Sequence, residues 1–314
     1  MSAPQSASTA RDYEVLVCTY NGAEYIVEQV RSILEQDPPP SRVLISDDGS
    51  TDQTLALIQT LANDSVIPVE VRQGPGKGVI HNVIEAIQYT RAPYVFLADQ
   101  DDIWLPGKAA LFCKRMNDAG LPHLIFSDAF VWTPETDQRE SFWQRDGLVP
   151  NNARNPARLM FHNTVQGASA CVNRALIELL EWDDRIVMHD WWMALIASSL
   201  GRVSIIEEPT LLYRQHESNQ LGSLRPESTE ERKLSHRRKV ATQILRQGLA
   251  FEEHYGGKLR EPERAFFKRY HGALCGGFLK RTGFLLRYWP IHKTLKLTLA
   301  LWYMILTAEK QPPV

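Results

Sequence analysis

"PPPSRVLISDDGSTDQTLALIQTLA", residues 38–62, joins an apolar run to a polar turn and then to a helical pattern. Val43–Ile45 has the composition of a strand buried on both faces. The Asp47-Asp48-Gly49-Ser50 turn follows, and Leu55, Ile58 and Leu61 recur at helical spacing, with Ser50 or Thr51 expected to cap the helix. The same scheme repeats outward. "YEVLVCTYNG" (13–22) leads into "YIVEQVRSILEQ" (25–36), and "IPVEVRQG" (67–74) leads into "GVIHNVIEAIQYT" (78–90), before a fourth strand in "APYVFLAD" (92–99). Strands alternating with helices imply right-handed βαβ units and an α/β fold with a mostly parallel sheet. Ligands of such sheets sit beyond the carboxyl ends of the strands, where "TYNG", "DDGSTD", "RQGPGKG" and "DQDD" all fall.

A chain of 314 residues, 44% hydrophobic and 23% charged, is long enough for one large domain with an appendage. Residues 1–11, rich in Ser and Ala, lack a cationic start and a long apolar stretch, so they read as a disordered tail and the protein is expected in the cytoplasm. Four cysteines without CxxC pairing argue against a zinc site or a disulfide framework and for buried free thiols. The net charge of −2 conceals an asymmetry: 18 of the 35 Lys+Arg but only 8 of the 37 Asp+Glu follow residue 220. A basic rear portion suits an anionic surface, with lipid headgroups or nucleic acid as candidates.

Beyond the first four strands the pattern is less regular. "HLIFSDAFVW" (123–132) and "RVSIIEEPTLLYRQH" (202–216) read as strands, and a helix is expected to begin near "MHDWW" (188–192). Residues 217–231 are polar and punctuated by Gly and Pro, a linker candidate, and 221–314 reads as basic, amphipathic helices. Apolar stretches there are broken by Lys280, Arg281, Arg287, Pro290, Lys293 and Lys296, well short of the roughly 20 consecutive apolar residues a spanning helix needs. Such helices either lie in a headgroup layer on the inner membrane face or pack on the front domain or on a second subunit as a homodimer.

Asp99, Asp101 and Asp102 in "FLADQDDIWLP" (96–106) crowd three carboxylates at a strand end, and their repulsion is relieved most simply by a divalent cation. All-oxygen ligands select Mg²⁺ or Mn²⁺, which keep one or two carboxylates while bridging substrate phosphates. An isolated DxD is equally a solvated turn. A haloacid-dehalogenase-type phosphatase places DxD similarly, but Ile103 stands where that family needs Thr or Val. "GPGKG" is no Walker loop, since Lys77 is not followed by Ser or Thr in the required frame.

Four segments in order, "VCTYNGAEYIVEQVRSILEQ", "VLISDDGSTDQT", "GPGKGVIHNV" and "FLADQDDIWLPGK", resemble the family 2 glycosyltransferases of the GT-A fold over about residues 12–220. Within that family "DQDDIW", "HDWW" and "YRQHESNQLG" look like the bacterial rhamnosyltransferase branch, which uses dTDP-L-rhamnose. The resemblance implies an inverting, metal-dependent transferase acting on a surface-polysaccharide or lipid-linked glycan, with no nucleic-acid partner. Other donors (UDP- or GDP-sugars), a DxD phosphate-ester hydrolase and a non-catalytic glycan-binding protein are the competing readings.

The resemblance also implies site residues. Thr19, Tyr20 and Asn21 lie near the nucleotide base, and Asp47 or Asp48 accepts from its imide N–H; by themselves these two aspartates read as turn formers. Cys18 stands where the family usually carries a hydroxyl. Lys77 and Asn82 fall beside the donor diphosphate, Asp99 near the ribose, and Gln166 and Gly167 along the sugar and diphosphate. Asp101 and His216 are the implied metal ligands, with Asp102 supporting from behind. Asp190 is the candidate general base, and Trp191 and Trp192 form either an acceptor platform or core packing.

Overall fold

A computed structural model describes residues 12–117, 120–215, 230–288 and 295–307. Its first third alternates β1 (Tyr13–Thr19), α1 (Ile26–Leu34), β2 (Arg42–Asp47), α2 (Thr54–Asp64), β3 (Val69–Gln73), α3 (Val79–Ala86) and β4 (Tyr94–Asp99). Every residue of β1 and β2 is buried, which is why these strands read as unbroken apolar runs. They pair in parallel in the order β3-β2-β1-β4. The chain therefore winds outward from β1 to β3, and α3 then returns it to the other side of β1. The switch point lies between the carboxyl ends of β1 and β4, where Cys18 stands opposite Asp99.

Past β4 come β5 (Ile103–Trp104), α4 (Lys108–Cys113), β6 (His123–Thr133), β7 (Gln138–Ser141), the single turns α5 (Phe142–Arg145) and α6 (Pro156–Leu159), β8 (Ala170–Asn173), the turn α7 (Arg174–Ile177), α8 (His189–Leu200) and β9 (Arg202–Arg214). Among the described residues the sheet continues β4-β8-β6-β9-β5, with β7 on the flank of β6. The parallel quartet is the expected one. Beyond it the sheet is mixed, because β8 runs antiparallel to both β4 and β6, whereas β6 and β9 are parallel. Only four residues long and wholly buried, β8 shows no alternation from which its direction could be read.

One core fills the face of the sheet covered by α1, α2 and α4 around Val15, Val17, Ile33, Ile45 and Phe112. The other runs from Leu16 and Leu97 through α8 into α9 (Glu230–Tyr255), α10 (Glu263–Cys275), α11 (Phe278–Arg287) and α12 (Leu295–Thr307). Phe251 and Tyr255 of α9 flank Trp192 of α8 with ring centroids 5.4 and 5.8 Å away, and Phe266 and Tyr270 of α10 meet Phe161. The basic rear portion is thus built into the core of the front portion. Buried Arg281 closes the helical end: its guanidinium donates to the carbonyls of Ala273 and Leu274 in α10 and of Ile305 and Leu306 in α12, at 3.1 to 3.3 Å. Among the described residues no helix is long and apolar enough to cross a membrane. The four cysteines are free thiols, with Cys18 and Cys171 buried.

Candidate active site

Three turns meet at the switch point. The Thr19 hydroxyl and the Tyr20 amide both donate to Gln100 Oε1, at 2.7 and 2.9 Å, and Gln100 Nε2 returns a bond to the Tyr20 carbonyl. Gly22 leaves room for this clasp, because a Cβ there would fall 2.4 Å from Gln100 Oε1 and displace that carboxamide. Asn21, in the left-handed region at φ 49°, donates its amide to Ser50 Oγ and accepts from the Thr51 amide at 2.8 Å. Ser50 and Thr51 are thereby drawn toward Asn21. Contrary to the expectation from the sequence, neither caps α2; Asp52 Oδ1 accepts from the Thr54 amide at 3.0 Å instead. Tyr20 is left 55% exposed, its ring open to solvent at the mouth of the site.

Asp47 and Asp48 serve the loops that frame the site. Buried Asp47 accepts from the Gly49 and Ser50 amides and from the Ser50 hydroxyl, so both its oxygens hold its own turn. Asp48 accepts from the amides of Gly76 and Gly78, each at 2.7 Å, and pins the glycine-rich loop whose positive φ at both residues presents those N–H groups inward. Asn82 is buried, with its amide bridging Ser46 Oγ and the Ser46 carbonyl, so it braces α3 against β2. Lys77 lies exposed on the loop that Asp48 holds, without an ion pair among the described residues.

The acidic turn is more tightly enclosed than its composition suggested. Asp99 is half-buried; burial first, then the charges of Asp101 and Asp190, push its carboxyl up to about 7 against the pull of Lys108. Asp102 is 1% exposed, and burial together with Asp101 and Asp99 raises it well above the usual carboxylate range. Its Oδ1 accepts from the Arg214 amide at 3.3 Å, while its Oδ2 is buried with no hydrogen-bond partner within the protein. Two cations that the sequence reading passed over organise this turn. Arg214, last in β9, donates Nε to the Asp101 carbonyl at 2.9 Å, pairs with Glu28 at 2.6 Å, and lies over the rings of Tyr25 and Trp132. Lys108, fully buried, stacks 4.4 Å over Trp104 and donates to the Ala168 carbonyl at 3.0 Å; burial pushes its ammonium down to about 7 despite nearby Asp102.

That lysine contact connects the acidic turn to the second carboxylate centre. Next to Ala168, the Gly167 amide donates to Asp190 Oδ2 at 3.0 Å, and Asp190 Oδ1 accepts from the Trp191 amide at 2.6 Å and from Asn163 Nδ2 at 3.2 Å. Asp190 sits in the first turn of α8, where the helix dipole favours a negative charge. Burial nonetheless raises its carboxyl above the ordinary range, against His189 and the bonds it accepts. Gly167 also lets His189 approach, since a Cβ would lie 2.8 Å from His189 Nε2 and push the imidazole aside. Gln166 Oε1, on the same turn, is buried without a partner within the protein. Trp191 and Trp192 are buried core residues: the indole of Trp191 donates to the Leu159 carbonyl at 2.6 Å, and Trp192 packs on α9. Of the two alternatives read from the sequence, their burial matches core packing.

His216 lies outside the described residues; the strand that leads to it ends at Arg214, against the backbone of Asp101 and the carboxylate of Asp102. Among the described residues no group of three His, Cys, Asp or Glu side chains is placed to hold a metal ion. The donor set nevertheless fits Mg²⁺ or Mn²⁺ with incomplete protein ligation: hard carboxylate oxygens, an orphaned buried Asp102 Oδ2, and ionisation that burial penalises.

A Rossmann-like sheet with an acidic turn at its switch point, extended by mixed strands, defines a GT-A sugar-nucleotide transferase fold. The Pyrobaculum calidifontis mannosyltransferase PcManGT, solved in complex with GDP-Man and Mn²⁺, superposes with a TM-score of 0.54 at 18% identity, over 93% of this chain and 79% of that one. TarS residues 1–349 of S. aureus, in complex with UDP-GlcNAc, gives 0.50 at 17% identity over 94% and 90%. Residues 14–164 match the profile described as glycosyl transferase family 2. The dTDP-rhamnosyl transferase RfbG of Shigella flexneri is 30% identical over 229 residues, 66% of this chain and 74% of that protein. The chain belongs to the family 2 glycosyltransferases.

Proposed function

We propose that the enzyme transfers L-rhamnose from dTDP-L-rhamnose, with inversion, onto a growing surface-polysaccharide or lipid-linked glycan. The donor reading leans on the similarity to a relative named as a dTDP-rhamnosyl transferase. The observation that carries the chemistry is the pair of carboxylate centres, Asp190 and the Asp99–Asp102 turn, joined through Gly167, Ala168 and Lys108 and close enough that the charge of Asp190 raises Asp99.

In this reading the base of the nucleotide rests against Tyr20 and the turn held by Thr19, Asn21 and Gln100, and the ribose meets Asp99. Lys77 and the Gly76 and Gly78 amides approach the diphosphate, provided that Asp48 yields those amides. Asp101, backed by Asp102 and joined by His216, would hold Mg²⁺ or Mn²⁺, which when bound supplies Lewis-acid neutralisation of the departing diphosphate. Asp190 takes the proton of the acceptor hydroxyl as that oxygen bonds to the anomeric carbon, and the bond from that carbon to the diphosphate oxygen breaks on the opposite side. The bonds from Gly167, Asn163 and the Trp191 amide fix the carboxylate, and its raised affinity for a proton makes it a stronger base than an exposed aspartate.

Thermal-shift measurements with dTDP-rhamnose, UDP-sugars and GDP-sugars, each with and without Mn²⁺, test the donor. Selective stabilisation by dTDP-rhamnose with Mn²⁺ is expected; stabilisation by another nucleotide sugar alone would replace the donor. Release of inorganic phosphate, in place of acceptor-dependent nucleoside diphosphate, would point to a hydrolase.

A further inference from the structure

We propose that the outer face of α11, continued by α12, lies in the headgroup layer of an anionic lipid bilayer. This goes beyond the catalytic reading and stands without it, since it concerns a surface formed only by the C-terminal helices. On α11 the inward positions are Arg281, Phe284 and Leu285, all buried. A surface helix ordinarily presents polar residues on the opposite side. Here the outward positions include Leu279 and Leu286, exposed by 85 and 64%, and Phe278, which opens the helix, is exposed by 68%. Leu279, Gly283 and Leu286 share one stripe at i, i+4 and i+7, and the exposed Lys280 and Arg287 form a neighbouring stripe at i and i+7. On α12 Leu299 and Tyr303, four residues apart, are also exposed.

The apolar stripe is presented on a fixed support. The four carbonyl bonds of Arg281 lock α10, α11 and α12 together, so the leucines cannot turn inward without breaking a buried guanidinium network. Its surroundings in the chain are cationic: residues 258–288 hold seven exposed Lys and Arg, besides buried Arg281, against two Glu. Arg269 Nη1 reaches the Tyr288 hydroxyl at 3.4 Å, which sets another cation beside the carboxyl end of α11. Apolar residues flanked by basic ones are the pattern of a helix that sinks its side chains between acyl chains while its cations meet lipid phosphates. A second copy of the chain is a poorer occupant, because a two-fold contact through this face would set Lys280 and Arg287 near their own equivalents. Among the described residues no helix is both long and apolar enough to cross a membrane, and the contact proposed is a peripheral one.

Flotation of the full chain with vesicles tests this, using phosphatidylcholine alone or mixed with phosphatidylglycerol, at low and high salt. The parent should float with the phosphatidylglycerol vesicles at low salt and be released by salt or by omission of the anionic lipid. The double variant L279E/L286E, altered only at exposed positions, should float at least about tenfold less while keeping the parent's melting temperature. Absence of flotation with anionic vesicles, or equal flotation of the variant, would overturn the proposal. So would a concentration-dependent dimer in sedimentation that the variant abolishes without any vesicle binding, which would assign the face to a second copy.

Discussion

Replacing Asp190 with Asn keeps shape and removes the charge. The carboxylate accepts three donors, the Gly167 and Trp191 amides and Asn163 Nδ2. An amide nitrogen has no acceptor, so in either orientation it must oppose at least one N–H; losing that bond and leaving a buried donor unsatisfied costs about 1–3 kcal/mol. Removing a carboxylate whose ionisation burial already penalises offsets part of this. The expected net loss is about 1 kcal/mol, or a melting temperature lower by roughly 2–4 °C. Removal of a general base should lower kcat by about 10²–10⁴. Donor affinity, measured by calorimetry, should stay unchanged, and turnover is read as acceptor-dependent release of nucleoside diphosphate. A kcat within about tenfold of the parent, in a variant that stays folded at the assay temperature, would refute the assignment of Asp190 as base.

Asp101→Ala should retain the parent's fold by circular dichroism yet lose the thermal shift that Mn²⁺ adds with donor present; an undiminished metal response would move the metal elsewhere. Gly201→Ala places a Cβ 1.9 Å from the Pro122 carbonyl oxygen, a backbone clash with no side chain to yield, and should destabilise by more than about 3 kcal/mol in urea titration. An ordinary unfolding midpoint would contradict the close approach of the β9 entry to the loop before β6. Burial raises Asp183, but bonds from the Arg185 side chain and amide and from His254 outweigh it and hold the carboxyl below its usual range. Its stabilisation is therefore full above the unfolded-state value and is lost progressively as pH falls below about 4. Asp183→Asn should flatten that part of the stability profile, and an unaltered acid limb would refute it.

The parallel quartet of strands was legible because each carries the same strand, turn and helix grammar, and the turns at their carboxyl ends are chemically conspicuous. Direction was not legible in β8, whose four buried residues carry no period. Nor did composition reveal what each aspartate does. Asp47 and Asp48 look alike, yet one closes its own turn and the other reaches about thirty residues onward to hold a glycine loop, a contact made by tertiary placement. Lys108 escaped notice because a lysine opening a helix ordinarily points to solvent; here α4 is turned so that the ammonium lies under Trp104. Gln100, placed among three acids, was overshadowed by them, although its carboxamide joins β1 to β4. The two tryptophans after Asp190 have the same chemistry in a sugar platform or a core, and the surroundings that bury them, α9 for Trp192 and the Leu159 carbonyl for Trp191, are set by tertiary packing.

That packing bears on how relatives of this enzyme can be recombined. Trp192 is two residues from Asp190 and is walled by Phe251 and Tyr255, so the helical tail forms one side of the wall behind the turn that carries Asp190. Grafting the tail of another family member, or cutting the chain after β9, would uncover this aromatic wall and loosen α8 at its start. Chimeras meant to change acceptor choice should therefore carry α8, α9 and α10 across as one block, with the crossover placed before the Gln166 turn.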